Sequence, residues 1–237
     1  MNLDKKIAIV TGASRGLGAA LAEALIAKGA IVYGLSRSAE DNYIIQDKSG
    51  GSLIPVRLDI TDQRAMSIWV KDTFSDSNSP DILINNAGVG YFKKTDQLPL
   101  EQWHEMINTN LNAVFYLTSS IVPMMKKNQN TCHIINIGSI LGKFARPETA
   151  AYSATKYGIQ GFSEALYKDV CQYKIKVSCV NPGSIDTHIF DKSGIYGHQN
   201  MLHAEDIAAM IVNILETPDN FLVDEITLRP LLENPPK

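Results

Sequence analysis

Cysteine is scarce in this sequence, and the spacing of the few cysteines excludes two kinds of stabilised domain. The 237 residues include three cysteines, Cys132, Cys171 and Cys179, whose spacing fits neither a disulfide framework nor a zinc-binding motif. The five histidines are likewise not paired with cysteines or acidic residues at the spacing of metal ligands. We therefore expect a protein of a reducing compartment without a metal site.

A long hydrophobic run is also missing. The least polar long stretch, 111–125, is interrupted by polar residues and a proline, and it is shorter than the ~20 apolar residues that cross a bilayer. The apolar run at 7–10 is too short for the core of a signal peptide. Both observations predict a cytoplasmic protein with no membrane span.

Neither sign of charge is in large excess. With 22 Lys and Arg against 25 Asp and Glu, the formal net charge is −3, so no broad positive field is available for a nucleic acid or an anionic membrane surface. Hydrophobic residues make up 45% and charged residues 20%, as in soluble globular domains. No linker, repeat or low-complexity tract divides the chain. We expect one domain over residues 1–237, with neither nucleic acid nor membrane as a partner.

The sequence does contain an alternation of short β-branched runs with segments of helical periodicity. This alternation is typical of repeated βα units on a parallel sheet. We predict an α/β fold, a doubly wound Rossmann-type parallel sheet of about seven strands with helices on both faces. The predicted strands are Lys6–Val10, Ile31–Leu35, Leu53–Leu58, Ile82–Ile84, His133–Ile137, Lys176–Val180 and Phe221–Ile226.

A glycine-rich turn joins the first predicted strand to the first helix. Residues 11–18 read Thr-Gly-Ala-Ser-Arg-Gly-Leu-Gly, which places Gly12, Gly16 and Gly18 where the helix begins. Glycine lets a backbone approach a pyrophosphate, and a helix N-terminus offers free N–H groups and a positive dipole. The spacing departs from the commoner Gly-x-Gly-x-x-Gly fingerprint, and a tight turn without a ligand is the alternative for this motif taken alone.

A tyrosine and a lysine form a second candidate motif. Tyr152 and Lys156 are four residues apart on a predicted helix, so both side chains rise from one face. An adjacent ammonium favours the phenolate and brings a phenol, whose ordinary pKa is about 10, into the range of an acid–base group. Ser139 follows the fifth strand, where its hydroxyl could donate to a substrate carbonyl oxygen. Alone, the Tyr–Lys pair is a weak signal, because such pairs are common on solvated helix faces.

Together these motifs resemble those of the short-chain dehydrogenase/reductase family, over residues 5 to about 190. The resemblance implies a hydride transfer between NADP(H) and the carbonyl or secondary alcohol carbon of a small molecule. The matching residues are 11–18, Asn85-Asn86-Ala87-Gly88, Asn110, Ser139, Tyr152-x-x-x-Lys156, and Asn181-Pro182-Gly183 with Thr187.

The resemblance also implies a role for each matching residue. Tyr152 would donate the proton in reduction and accept it in oxidation, and Lys156 would hold the nicotinamide ribose and tune Tyr152. Ser139 would orient the carbonyl oxygen, and Asn110 would anchor a water that passes protons from Lys156 toward solvent. The implied cofactor-binding residues are Gly12, Ser14, Arg15, Gly16, Leu17, Gly18, Arg37, Asp59, Ile60, Asn86, Ala87, Gly88, Tyr152, Lys156, Pro182, Gly183, Ile185 and Thr187.

The end of the second strand predicts which nicotinamide cofactor is used. An NAD-preferring enzyme places an acidic side chain there to bind the ribose 2′-hydroxyl. Here the strand ends in Ser36-Arg37-Ser38, with no acid before Glu40, and Arg15 lies inside the glycine loop. Guanidinium groups bind a 2′-phosphate through charge-assisted hydrogen bonds. We therefore predict NADP(H); two solvated surface arginines are the alternative.

Two other functions stay open at this point. One is a regulatory protein that binds NADP without turnover, although a sensor has no need for the set Asn110, Ser139, Tyr152 and Lys156. The other is a nucleotide-sugar epimerase or dehydratase, whose glycine spacing differs and whose sugar-binding lobe has little room in 237 residues.

The substrate is not identified by the sequence. Segment 184–203 is a predicted substrate loop, and the C-terminus, 222–230, lacks the Gly-Gly ending typical of the acyl-carrier-protein reductases of the family. Gly138 stands where many relatives have a second serine, a difference expected to matter little for the Ser139 hydroxyl.

Assembly is predicted from two long helical segments, 100–127 and 149–173. Their apolar residues lie on more than one face, and the resemblance implies that one face packs against a second copy. We expect a two-fold homo-oligomer, a tetramer in preference to a dimer. Examples of these apolar residues are Ala150, Ala154, Ile159, Phe162 and Leu166.

Overall fold

The computed structural model describes residues 1–38, 44–186 and 200–232. Within these ranges the strands are β1 (Ile7–Thr11), β2 (Ile31–Ser36), β3 (Ile45–Gln46), β4 (Ser52–Arg57), β5 (Ile82–Asn85), β6 (Cys132–Ile137), β7 (Ile175–Pro182) and β8 (Glu225–Leu228). The α-helices are α1 (Gly16–Ile26), α2 (Gln63–Thr73), α3 (Leu100–Ile107), α4 (Ala113–Met125), α5 (Ala150–Val170) and α6 (Ala204–Leu215).

All eight strands belong to one sheet, in the order β3-β4-β2-β1-β5-β6-β7-β8. Every neighbouring pair is parallel except β3 with β4. The order runs outward from β1 in both directions, with β2 on one side and β5 on the other. In an open α/β sheet a ligand binds in the crevice beyond the carboxyl ends of the strands at such a reversal point.

Side chains of the central strands alternate between two hydrophobic cores. In β1, Ala8 and Val10 belong to the core under α1 and α6, while Ile9 belongs to the core under α2, α4 and α5. This alternation is the period of two of an extended strand, and both faces are apolar because helices cover both. The fold class predicted from the sequence is confirmed.

Six of the seven predicted strands agree with the structure to within two residues at each end. The structure adds β3, a two-residue edge strand that is too short to give a hydrophobic pattern. The last strand was predicted at Phe221–Ile226, but it starts at Glu225. Upstream of it, carbonyls accept hydrogen bonds from side chains of β7: Lys176 Nζ donates to Phe221 O at 2.7 Å and Ser178 Oγ to Val223 O at 2.5 Å.

The prediction of one helix over 100–127 was also too simple. The helix is divided by a π-helical turn, Asn108–Asn112, between α3 and α4. The segment 149–173 contains α5 and then a 3₁₀ turn, Cys171–Tyr173. In the described parts of the chain, no helix combines the length and apolarity needed to span a bilayer.

Candidate active site

A cleft of about 760 Å³ lies at the carboxyl ends of the central strands. The loop between β1 and α1 and the ends of β2 and β4 line one part, and residues after β6 and β7 line the other. All residues predicted for the site line this cleft except Asn110, which lies behind it, and Thr187, which falls outside the described residues. Residues far apart in the sequence are therefore brought to one place.

The glycine-rich loop presents the N-terminus of α1 to the cleft. Gly12 has a φ of +69°, in the left-handed region that favours glycine. A Cβ on Gly18 would overlap the carbonyl oxygen of Gly12 and lie 2.6 Å from Asn86 Nδ2, so the start of α1 packs this closely against the loop and Asn86 because residue 18 is glycine. Arg15, the N-cap residue, makes no side-chain hydrogen bond to the first turn of α1. The first N–H groups of the helix, together with its dipole, therefore fit the pyrophosphate of a dinucleotide.

The side of the cleft beyond β2 carries positive charge. Arg15 and Arg37 are exposed and line the cleft, and Ser38 Oγ lies 3.4 Å from Ser14 Oγ between them. The carboxylate of Asp59, which follows β4, accepts hydrogen bonds from the backbone N–H and the hydroxyl of Thr61, at 2.9 and 2.7 Å. Burial raises its pKa, but the Thr61 hydrogen bonds and Arg37 outweigh burial and leave that pKa below its usual value. Two guanidinium groups beside serine hydroxyls match a 2′-phosphate.

Tyr152 and Lys156 rise from the same face of α5 and are both buried. Lys156 Nζ donates to the Ile137 carbonyl at 2.7 Å and lies 5.7 Å from the centre of the Tyr152 ring. Burial lowers the pKa of Lys156 to about 8. Burial also raises the pKa of Tyr152 to about 12, opposed by a hydrogen bond with Ser139. The lowered phenol pKa expected from the sequence is not seen here, because the lysine bonds a carbonyl instead of the phenol.

Ser139 begins a 3₁₀ turn, Ile140–Gly142, directly after β6. Its Oγ accepts a hydrogen bond from Leu141 N–H at 3.1 Å. Because this bond uses a lone pair of the oxygen, the hydroxyl hydrogen stays available to the phenol or to a substrate oxygen.

Asn110 lies in the π-helical turn and is 1% exposed. Its Oδ1 accepts from Val89 N–H at 2.8 Å, and its Nδ2 donates to Val89 O at 2.9 Å and to Thr155 Oγ1 at 3.2 Å. The amide therefore joins the segment after β5 to α5 beside Lys156, and the side chain does not line the cleft.

The part of the cleft lined by Phe92, Phe144, Arg146 and Arg229, called the substrate end below, carried no recognisable sequence signal. The ring of Phe92 lies 5.3 Å from that of Tyr152, and the guanidinium of Arg229 lies 5.1 Å from the centre of the Phe144 ring. Arg146 lines the same end of the cleft. These side chains come from loops and from the end of β8, where no periodic pattern or family motif marks them. Among the described residues, no group of three or more histidine, cysteine or acidic side chains is placed to hold a metal ion.

Comparison with known proteins identifies the family. The family model described as short chain dehydrogenase matches residues 6–195. The 3-oxoacyl-[acyl-carrier-protein] reductase FabG of Escherichia coli is 37% identical over 187 residues, which cover 79% of this chain and 76% of that protein. An uncharacterized oxidoreductase of Staphylococcus saprophyticus is 32% identical over 235 residues, 98% of this chain and 100% of the relative.

The solved structures agree with these sequence relatives. An alcohol dehydrogenase of the archaeon Thermococcus sibiricus, complexed with 5-hydroxy-NADP, superposes with a TM-score of 0.86 at 25% identity, over 99% of this chain and 100% of that one. The chain belongs to the short-chain dehydrogenase/reductase family. It is an NADP-dependent oxidoreductase that acts on a carbonyl or alcohol group. The predicted family, cofactor and reaction class are confirmed, and neither the non-catalytic regulator nor the epimerase is favoured.

Proposed function

We propose that Tyr152 donates the proton when the enzyme reduces a carbonyl and accepts it when the enzyme oxidises an alcohol. The supporting observation is that its phenol is buried in the cleft with the hydroxyl of Ser139 beside it. When bound, NADPH supplies the hydride. With a pKa of about 12, Tyr152 is protonated at neutral pH, as a proton donor must be.

The neighbouring polar residues have supporting roles in this proposal. Ser139 donates its O–H to the substrate oxygen and so fixes that oxygen beside the phenol. Lys156 holds the nicotinamide ribose, and its ammonium stabilises the phenolate left after proton transfer. Asn110 fixes Val89 and Thr155 next to Lys156 and supports the water path by which the proton is replaced.

We assign the dinucleotide along the cleft from the positions of the lining residues. The N-terminus of α1 would hold the pyrophosphate, and Arg15 and Arg37 would bind the 2′-phosphate. Residues at the ends of β6 and β7 would hold the nicotinamide near Ser139 and Tyr152. The other contacts are Gly12, Ser14, Gly16, Leu17, Gly18, Asp59, Ile60, Asn86, Ala87, Gly88, Pro182, Gly183, Ile185 and Thr187, of which Thr187 is outside the described residues.

The proposed reaction is tested by turnover. The wild-type protein is mixed with a panel of ketones, aldehydes and keto acids, and consumption of NADPH is followed with NADH in parallel. We expect carbonyl-dependent consumption of NADPH and formation of the matching alcohol. A protein that binds NADPH but consumes it with no member of a broad panel contradicts the proposal.

Charge at the substrate end indicates the substrate class. Apart from Lys156, the charged side chains that line this end among the described residues are Arg146 and Arg229, both cationic. Phe92 and Phe144 supply apolar surface beside them. We therefore propose a carbonyl substrate with an anionic group. The name of the E. coli relative specifies a 3-oxoacyl substrate on acyl carrier protein, and we do not carry that substrate over to this chain.

A matched pair of substrates tests the anionic group. We expect kcat/KM for acetoacetate to exceed that for its methyl ester by at least ~10-fold, because a hydrogen bond to a charged group contributes about 1.5–3 kcal/mol. The double variant Arg146→Gln/Arg229→Gln should lose this preference, whereas Arg64→Gln, an exposed change on α2, should keep it. Equal efficiency with acid and ester in the wild type contradicts the assignment.

We also propose that the protein is a two-fold homo-oligomer, a tetramer in preference to a dimer. In support, Ile159 and Leu166 pack on the sheet side of α5, while Ala150 and Ala154 are exposed on another face. On α4, Phe115 is 54% exposed beside Phe162, with ring centres 6.4 Å apart. Phe115 and Phe162 therefore present neighbouring aromatic rings on the α4–α5 surface, and exposed apolar surface of this kind can mark an interface. Light scattering at micromolar concentration should report an even number of copies, and a monomer would contradict the proposal.

We also propose a cellular location and a domain organisation. We place the protein in the cytoplasm because its sequence has the composition of a reduced globular domain. We regard 1–237 as one domain in which 184–203 contacts the substrate, since Ser184 and Ile185 line the cleft. Most of that segment, 187–199, lies outside the described residues.

A further inference from the structure

A buried asparagine on β7 occupies the space that Gly138 leaves empty. Asn181 is 0% exposed, and a Cβ built on Gly138 would overlap its Oδ1 and lie 3.1 Å from its Cγ. The backbone of Gly138 is not in the left-handed region, so its conformation does not require glycine. Residue 138 is glycine here because any side chain would displace Asn181.

Both the oxygen and the nitrogen of the Asn181 side-chain amide form hydrogen bonds. Its Oδ1 accepts from the backbone N–H of Ser139 at 3.1 Å, and its Nδ2 donates to Gln160 Oε1 at 2.9 Å. Gln160 Nε2 then donates to Glu225 Oε2 at 2.7 Å, and Glu225 forms an ion pair with Lys143.

These contacts form a closed ring around the turn that carries Ser139. The turn runs from Ser139 to Lys143, so its first residue is held by Asn181 and its last residue by Glu225. Tyr157 adds a second hold at the end of the turn, because its hydroxyl donates to the Lys143 carbonyl. α5 carries Gln160 as well as Tyr152, so the ring ties the position of Ser139 to the helix that carries Tyr152.

We propose that Asn181 is a positioning residue for the reaction and that Gly138 and Asn181 function as a pair. Asn181 fixes the backbone of Ser139, which aims the Ser139 hydroxyl at the oxygen that Tyr152 protonates. Small errors in the position of a reacting group lower catalysis by up to ~10²-fold. This inference rests on the proposed role of Ser139.

A double-mutant cycle tests whether Asn181 acts through Ser139. We expect Asn181→Ala to lower kcat by ~10-fold or more with little change in the KM for NADPH. In a Ser139→Ala background the same change should have almost no further effect on kcat, because the hydroxyl that it positions is gone. Asn136→Ala is the matched control: Asn136 is also buried on the sheet, but it bonds Asn85 and Ser163, and its loss should spare kcat.

A second pair of variants tests whether a side chain at position 138 and the side chain of Asn181 compete for the same space. Gly138→Ala should lower kcat because the new methyl group displaces Asn181, and adding Asn181→Ala should restore part of the loss. Should Asn181→Ala not fold, Gln160→Leu removes the acceptor of Asn181 Nδ2 at a less buried position, and kcat should fall ~3-fold or more.

The outcomes separate this inference from the proposed function. If Ser139→Ala keeps full kcat, the proposed role of Ser139 is wrong, and the inference with it. If Ser139→Ala lowers kcat but Asn181→Ala and Gln160→Leu do not, the proposed function stands and only the inference is overturned. The inference is also overturned if the fold-losses in kcat of Gly138→Ala and Asn181→Ala simply multiply in the double variant. Equal losses of kcat in Asn136→Ala and Asn181→Ala would overturn it as well.

Discussion

Replacing Tyr152 with phenylalanine is expected to lower kcat by at least ~10²-fold, since a positioned acid–base group contributes about 10²–10⁴-fold. The change removes one oxygen and keeps the ring that packs against Phe92. NADPH affinity should therefore stay near that of the wild type, because in our assignment the phenol acts on the substrate oxygen. Initial rates of NADPH consumption and a fluorescence titration of NADPH measure the two quantities on the same preparation.

Tyr167→Phe is the control for this change. Tyr167 is on the same helix, α5, but it packs in the core under α2, α4 and α5, away from the cleft. The Tyr167→Phe substitution also removes one phenolic hydroxyl, and kcat should stay within ~2-fold of the wild type. A Tyr152→Phe enzyme that keeps most of the wild-type rate shows that the phenol is not the proton donor. A Tyr152→Phe enzyme that loses NADPH binding as well shows that the phenol holds the cofactor.

Cofactor preference should be set by Arg37 and Arg15. The wild-type enzyme is expected to use NADPH at least ~10-fold more efficiently than NADH, because charge-assisted hydrogen bonds to the 2′-phosphate contribute about 1.5–3 kcal/mol. Arg37→Asp should erode or reverse the preference, since a carboxylate repels the phosphate and accepts from the ribose hydroxyls of NADH. Arg37 is exposed, so the substitution should leave the free energy of unfolding almost unchanged.

The matched control for Arg37→Asp is Arg64→Asp. It changes the net charge by the same amount at an exposed position of α2 that does not line the cleft. The ratio of kcat/KM for NADPH to that for NADH should therefore stay at the wild-type value. Equal efficiency of the wild-type enzyme with the two cofactors would show that the arginines do not bind the phosphate.

The parts of the fold that follow from local pattern could be predicted from the sequence. Ile82–Asn85 and Cys132–Ile137 are buried along their whole length, and isoleucine predominates in both, which makes them recognisable as buried strands. Candidate functional residues follow these strands: Asn86 comes directly after the first, and Ser139 comes two residues after the second. Tyr152 and Lys156 could be placed on one face because helix geometry fixes that relation.

The parts that depend on contacts between distant segments could not be predicted. The strand at Glu225–Leu228 starts late because side chains of β7 hold the carbonyls before it. The π-helical turn at Asn110 interrupts an amphipathic pattern that otherwise continues from α3 into α4. In the sequence Gly138 looks like an ordinary glycine at the end of a strand. The need for glycine at this position is apparent only when the structure places Asn181, 43 positions later, beside it.

Isotope transfer tests the central claim most directly. NADPH that carries deuterium at the transferring position of the nicotinamide ring is incubated with the wild-type enzyme and a carbonyl substrate found in the panel, and the product is examined by mass spectrometry and NMR. We expect one deuterium per molecule of alcohol, bound to the former carbonyl carbon, and at least ~10²-fold less deuterated alcohol in the same time when Tyr152→Phe replaces the wild type. Product alcohol without deuterium at that carbon, or deuterium transfer at the wild-type rate by Tyr152→Phe, would contradict a direct hydride transfer assisted by Tyr152.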